Sequence, residues 1–215
     1  DGAGNIWVTT TQGLTRLAGA VLKPLQAERM DFDVRDGLQS NEFMRGAGLR
    51  GRSGRIYLGG RRGFNVFEPG AIQRDESPPT VVMSGLRIFN HPAQPGLPDS
   101  PLYRSMSETR ELVLSQDHAV VTFEFAALDL ALPSKVRYAY RLEGLERDWN
   151  DAGERREATY TQLRHGDYVL HVRASNHDGV WGEGLSLPVH VSPRWHERRP
   201  VQLLLALLVV GVAVG

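Results

Sequence analysis

Two stretches of strict alternation constrain this chain more than anything else in it. Val136, Tyr138, Tyr140 and Leu142 alternate with Arg137, Ala139, Arg141 and Glu143. Farther on, Tyr168, Leu170, Val172 and Ala174 alternate with Val169, His171, Arg173 and Ser175. Successive side chains of a strand point to opposite faces, so each stretch has one large apolar or aromatic face and one mostly polar face. A half-buried antiparallel sheet keeps the two sets apart, as a helix of that spacing would not.

Further strands join these two. Val81–Phe89 reads as the first, Glu111–Leu114 as a short one, and Leu185, Leu187, Val189 and Val191 mark the last. Ala119–Ala127 alternates, with Val121, Phe123 and Phe125 predicted inward and Val120, Thr122 and Glu124 outward. The proline-rich stretch Asn90–Pro101 reads as a loop. Leu163-Arg-His-Gly-Asp-Tyr168 sets a Leu before a Gly-Asp turn and a Tyr at the next strand's start. That is the layout of a tyrosine corner, in which a phenol closes a turn by bonding upstream backbone. The fold class is therefore all-β, with an immunoglobulin- or fibronectin-III-like sandwich over residues 77–192.

The first 76 residues follow a different rule. Setting Gly4 on Gly54 sets Ile6 on Ile56, Trp7 on Tyr57, Gly13 on Gly63 and Leu14 on Phe64, an offset of 50 residues (54 less 4). Each copy is strand, tight Gly turn, strand, as in the blade hairpins of a β-propeller. Two blades cannot close a propeller, so residues 1–76 are expected to be the C-terminal blades of a larger array, and the chain a piece of a longer protein. Glu68–Pro79 is the expected exit linker.

Residues 193–215 form a third region. Pro193-Arg-Trp-His-Glu-Arg-Arg199 breaks the sheet pattern, and the sixteen residues 200–215 contain only Gln202 as a polar side chain. As a helix they would span about 24 Å, short of the roughly 30 Å of a bilayer core, which predicts the start of a transmembrane helix. Arg194, Arg198 and Arg199 on its N-terminal side favour, by the positive-inside rule, a cytoplasmic flank.

Several of these residues together resemble a known family. Tyr-Ala-Tyr-Arg-Leu-Glu-Gly-Leu (138–145), Asp148-Trp149, Tyr160, Leu163, Gly166-Asp-Tyr168 and Asn176…Asp178-Gly-Val-Trp181 are similar to the three-tyrosine (Y_Y_Y) domain of bacterial two-component regulators. Its tyrosines fall here on Tyr138 or Tyr140, on Tyr160 and on Tyr168. The hairpins of 1–67 resemble the regulator-propeller repeat that precedes this domain in the family. The resemblance implies the extracytoplasmic sensor region of an inner-membrane signalling protein, with residues 1–199 periplasmic, against the charge rule above. It also implies a homodimer through the sandwich and membrane helix, a small ligand such as an oligosaccharide, and an output module of histidine-kinase or diguanylate-cyclase type. The competing reading is a carbohydrate-binding or spacer module of a cell-surface enzyme.

Little else suggests chemistry. Without cysteine there is no thiolate nucleophile or metal ligand, and 25 basic against 25 acidic residues give no global pull on nucleic acid. Gly46-Ala-Gly48-Leu-Arg-Gly51 matches G-x-G-x-x-G, but turn and strand follow it where a dinucleotide site needs a helix, so the glycines are read as inter-blade turns. Arg45, Arg50, Arg52, Arg61 and Arg62 could form an anion-binding rim, against the simpler reading of a solvated edge. His171 and His190 sit on outward strand positions, and His165 and His177 in turns, without metal-ligand spacing. Glu143, Glu146 and Asp148 are read as solvated charge near a turn. No catalytic constellation and no cofactor is expected. Tyr138, Tyr140, Trp149, Tyr160, Tyr168 and Trp181 are expected to be core and corner residues rather than a sugar-stacking platform.

Overall fold

The structure, a computed structural model, describes residues 1–129 and 131–194. The chain divides into two compact units between Glu76 and Ser77. The first unit holds two three-stranded antiparallel sheets, β1 (Ile6–Thr10), β2 (Gly13–Ala18) and β3 (Glu28–Phe32), then β4 (Phe43–Arg50), β5 (Ile56–Gly60) and β6 (Gly63–Phe67). The offset seen in the sequence is an offset in register. Ile6 pairs with Leu17 and Thr10 with Gly13, while Ile56 pairs with Phe67 and Gly60 with Gly63. The two turn glycines share one backbone angle, φ 131° at Gly13 and 130° at Gly63, which side-chain-bearing residues rarely adopt.

The two copies differ in how their first turn is held. The Asp1 carboxylate accepts from the backbone N–H groups of Ala3 and Asn5, from the Asn5 amide and from the Trp7 indole N–H at 2.8 Å. Gly51 occupies the corresponding place in the second copy, and there the backbone alone closes the turn, Gly51 N–H to the Arg55 carbonyl at 2.9 Å. Leu14, Ile56 and Leu58 are the fully buried apolar cluster of the unit, with Trp7, Phe32 and Phe67 packed against them. Gly46 and Gly48 of the G-x-G-x-x-G run lie in β4, where the register slips between Phe43 and Gly48. These two serve a bulged strand rather than the turn expected of them, with Gly46 at φ 76°, whereas Gly51 does lie in the turn that follows.

The second unit is a two-sheet sandwich. Its strands are β7 (Thr80–Ile88), β8 (His91–Pro92), β9 (Leu112–Ser115), β10 (Val120–Leu128), β11 (Arg137–Glu143), β12 (Asn150–Gly153), β13 (Glu157–Thr161), β14 (Gly166–Ser175) and β15 (Leu185–Ser192). One sheet runs β13-β10-β7-β8 and the other β12-β11-β14-β15-β9. The inward residues of the alternating stretches form one continuous core, in which Val121, Phe123, Phe125, Val136, Tyr138, Leu142, Leu170, Val172 and Val189 are wholly enclosed. The chain crosses between sheets from β8 to β9, from β9 to β10, from β10 to β11, from β12 to β13 and from β13 to β14.

Two strand-level expectations need correction. Thr122 faces outward as its parity demands, yet it is 1 % exposed. It sits between Thr159 on β13, with the two hydroxyls 2.9 Å apart, and Arg87 on β7, whose guanidinium is held by Glu124 and Glu157. A short polar residue under such a cover is buried at no loss of hydrogen bonding. The stretch Asn90–Pro101 is not wholly loop, because His91–Pro92 turns back onto β7 and pairs with Arg87 and Ile88. The membrane-helix expectation for 200–215 falls outside the described residues. Among the described residues no helix is long and apolar enough to cross a membrane.

Candidate functional site

Three tyrosines each fasten one of the inter-sheet crossings. The Tyr138 hydroxyl, on β11, accepts from the Ala127 backbone N–H on β10 at 3.1 Å, pinning the β10–β11 crossing. The Tyr160 hydroxyl, on β13, donates to the Glu146 carboxylate at 3.0 Å, and the same carboxylate oxygen accepts from the Leu142 N–H at 2.8 Å. This ties β13 to the end of β11. Burial, followed by the bond to Glu146, holds the Tyr160 phenol well above its ordinary pKa. The Tyr168 hydroxyl donates to the Arg164 carbonyl at 3.0 Å, closing the β13–β14 corner as the sequence predicts.

The rings of this set pack as a cluster. Tyr140 meets Tyr160 edge-on at 6.2 Å, and Phe125 lies 5.4 Å from Tyr138 and 6.3 Å from Tyr140. Gly144 explains the Gly of the 138–145 motif. Its φ is 96°, and a Cβ there would stand 2.9 Å from the Tyr168 ring and 3.0 Å from the Asp167 carbonyl. Only a residue without a side chain lets Tyr168 lie against that turn. Glu146 corrects the sequence reading, which left it as solvated charge. It is a partly buried acceptor shared by Tyr160 and the Leu142 N–H, and the signal for it was Tyr160, a phenol in need of a partner.

Trp149 and Trp181 also depart from expectation, because neither belongs to the core. They lie on the outer face of the five-stranded sheet, and Trp181 is 40 % exposed. The Arg173 guanidinium sits 4.2 Å from the Trp149 ring centre and 5.0 Å from that of Trp181, and Arg141 lies 5.5 Å from Trp149. The order is indole, guanidinium, indole, with a second guanidinium beside Trp149, a cation–π stack across the outward positions of β11 and β14. Other polar side chains of this face are paired: Arg137 with Asp151, His171 with Glu143 and Ser186, and His190 with Asp167. Ala139, also outward, is buried beside Arg173, its partner in register.

The turn leading to Trp181 is built around one residue. Asn176 is 2 % exposed; its side-chain oxygen accepts from the Asp178 and Val180 N–H groups at 3.0 and 2.9 Å. Its amide donates to the Ser77 carbonyl at 3.1 Å, 99 residues away in sequence. The turn expected at Asn176–Gly179 is therefore also an attachment point for the start of this unit, and the sequence carried no sign of that.

The five arginines of the expected rim occupy three segments, all exposed. Arg45 and Arg50 lie on β4, Arg52 follows it, and Arg61 and Arg62 form the two-residue turn between β5 and β6. Arg61 pairs with Glu42 at 3.1 Å, and the Arg62 backbone N–H donates to the Gln39 side chain. Among the described residues no three His, Asp or Glu side chains are grouped to hold a metal ion.

Residues 129–192 match the Y_Y_Y domain family, the stretch that holds Tyr138, Tyr140, Tyr160, Tyr168 and both stacked indoles. Across 197 residues, 90% of this chain, it is 30% identical to histidine kinase P4 of Formosa agariphila, of which it spans only 14%. The extracellular domain of BT3049 from B. thetaiotaomicron, assigned as a hybrid two-component system, aligns with 90% of this chain at TM-score 0.72 and 26% identity, over 25% of its own length. The extracellular domain of BT4673 from the same organism, at 24% identity and TM-score 0.51 over 89% of this chain and 24% of that one, shows a common fold. The chain is thus similar to a histidine kinase and to the extracellular domain of a bacterial two-component system, and its residues 129–192 match the Y_Y_Y domain.

Proposed function

We propose that this chain is the membrane-proximal part of the extracytoplasmic sensor region of a bacterial transmembrane signalling protein, and that its sandwich passes a ligand-driven displacement toward the membrane. One observation carries this reading: both units, in order, align with the extracellular domain of BT3049 over 90% of the chain. The first unit is then part of a propeller. In support, its two hairpins share register at an offset of 50, and Ile6, Val8, Phe64 and Val66 expose apolar surface that neighbouring sheets would cover. A small ligand, an acidic oligosaccharide for instance, would bind on the propeller side, with Arg45, Arg50, Arg52, Arg61 and Arg62 as its rim. Residues 200–215 enter the membrane, two copies associate through the sandwich and that helix, and catalysis belongs to an output module elsewhere in the protein.

The test is a slack segment. About six Gly/Ser residues inserted after Ser192 in the whole protein act as flexible coil and lose orientation. Ligand affinity should stay unchanged while the output locks on or off. An output that still follows ligand over its normal range would exclude mechanical coupling and favour a spacer module.

A further inference from the structure

The first residues of the sandwich are fastened to the turn that carries one plate of the cation–π stack. Ser77 gives its carbonyl to the buried Asn176 amide. Immediately beyond, Pro78 and Pro79 lie so close to Gly182 that a Cβ there would stand 3.3 Å from the Pro78 Cβ and 3.2 Å from the Pro79 carbonyl. Gly182 in turn donates its N–H to the Ala174 carbonyl at 2.9 Å, and Trp181 bridges to Ser175. From Asn176 to Gly182 the turn is bonded at both ends and through its centre, so it moves as one piece. The side chain it projects is Trp181, stacked on Arg173, which is stacked on Trp149. No carboxylate lies within ion-pairing distance of Arg173 among the described residues, and its Nε is buried without a hydrogen-bond partner. The two indoles are what hold this guanidinium.

We infer that Asn176 is the positioning residue of a relay: it registers the position of the incoming segment 77–79 and passes it, through Trp181 and Arg173, to Trp149 and the loop that holds Glu146. This deepens the coupling proposed above and rests on it for its physiological meaning, but the relay itself exists in the chain without ligand or output. Coupling of this kind is reciprocal, so a change at the stack must be felt at Ser77 as well.

The test uses the full chain, in detergent because of its apolar C-terminal run. Asn176→Asp keeps the oxygen that accepts from Asp178 and Val180 but sets a carboxylate oxygen against the Ser77 carbonyl, so it removes the latch and spares the turn. Trypsin cleavage after Arg74 should quicken about fivefold, the population change of one lost hydrogen bond, and the near-ultraviolet circular dichroism of the tryptophans should shift. Arg173→Lys, on the outer face where folding is not at stake, removes the planar group from the stack; it too should quicken cleavage after Arg74. Faster cleavage in Asn176→Asp with an unchanged tryptophan spectrum would overturn the relay, as would Arg173→Lys with wild-type cleavage. If neither variant altered cleavage, the latch itself would be refuted. Should Asn176→Asp fail to fold, the Arg173→Lys result decides alone. None of these outcomes bears on whether the whole protein signals, which the Ser192 insertion tests separately.

Discussion

Tyr168 holds its corner through one hydrogen bond and a half-buried ring. Its hydroxyl makes a single bond to the Arg164 carbonyl, so Tyr168→Phe should cost about 1 kcal/mol in a denaturant titration of the sandwich transition. The ring is only half-buried, against Gly144, so Tyr168→Ala should cost about 2–3 kcal/mol rather than the 3–5 of a fully enclosed aromatic. An unmoved midpoint in both variants would refute the corner. His118 gives a pH-dependent counterpart. Its Nδ1 accepts from the Ser115 N–H, which requires the neutral ring, and burial lowers its pKa below the ordinary 6.5 while Asp117 and Asp99 oppose that shift. A folded pKa below the unfolded one means that the unfolded chain binds the proton first. Stability from this group is therefore full above pH 6.5 and is lost as the pH falls toward the lower folded value. His118→Asn, which keeps an acceptor near the Nδ1 position without titrating, should show a smaller drop in denaturant midpoint between pH 7.5 and pH 5.5 than the wild type.

The two hairpins of the first unit offer a controlled comparison between elements. Gly13 and Gly63 hold the same turn position at the same φ, so an alanine meets the same backbone strain at either. A Cβ on Gly13, however, would lie 2.1 Å from the Phe32 carbonyl, whereas one on Gly63 meets nothing within 4 Å. Gly13→Ala should therefore destabilise by at least about 2 kcal/mol more than Gly63→Ala, because β3 must move to admit the methyl. Chemical unfolding of the whole protein, followed at Trp7, would measure the difference, and equal losses would show that β3 does not constrain that turn. The hairpins were legible in the sequence because each is local and its pattern repeats. The strands of the sandwich were legible too, since Val136–Glu143 and Tyr168–Ser175 alternate without a fault. The outer face was not: alternation marks Arg173 as outward but is silent on whether water or an indole covers it. Trp149 and Trp181 look like core in one dimension, because large aromatics usually are core. Glu146 was missed for the same reason, since its partner Tyr160 lies on another sheet.

On the scale of the molecule, the two units differ in how much they enclose. The continuous core of the sandwich is drawn from residues 81–191, whereas in the first unit the fully buried apolar cluster is Leu14, Ile56 and Leu58. A protein of residues 77–194 should thus unfold in one cooperative transition, and residues 1–76 alone should show none, as expected of repeats separated from their neighbours. Circular dichroism of the two fragments during heating checks both statements, and a sharp transition in 1–76 would make that unit a self-sufficient domain. The place of β15 in its sheet has one more consequence. The C-terminal half of this last described strand is no edge: β14 pairs with it along one side as far as Val191, and β9 along the other from Val189 to Ser192. A strand on the rim of a sheet can be peeled away one bond at a time, but one gripped on both flanks must shed two ladders together. The amide protons of that half should therefore exchange only when the whole sandwich opens. A load applied beyond Ser192 meets a fixed anchorage, and the sandwich answers it by moving bodily, as a lever does, before it gives way by fraying.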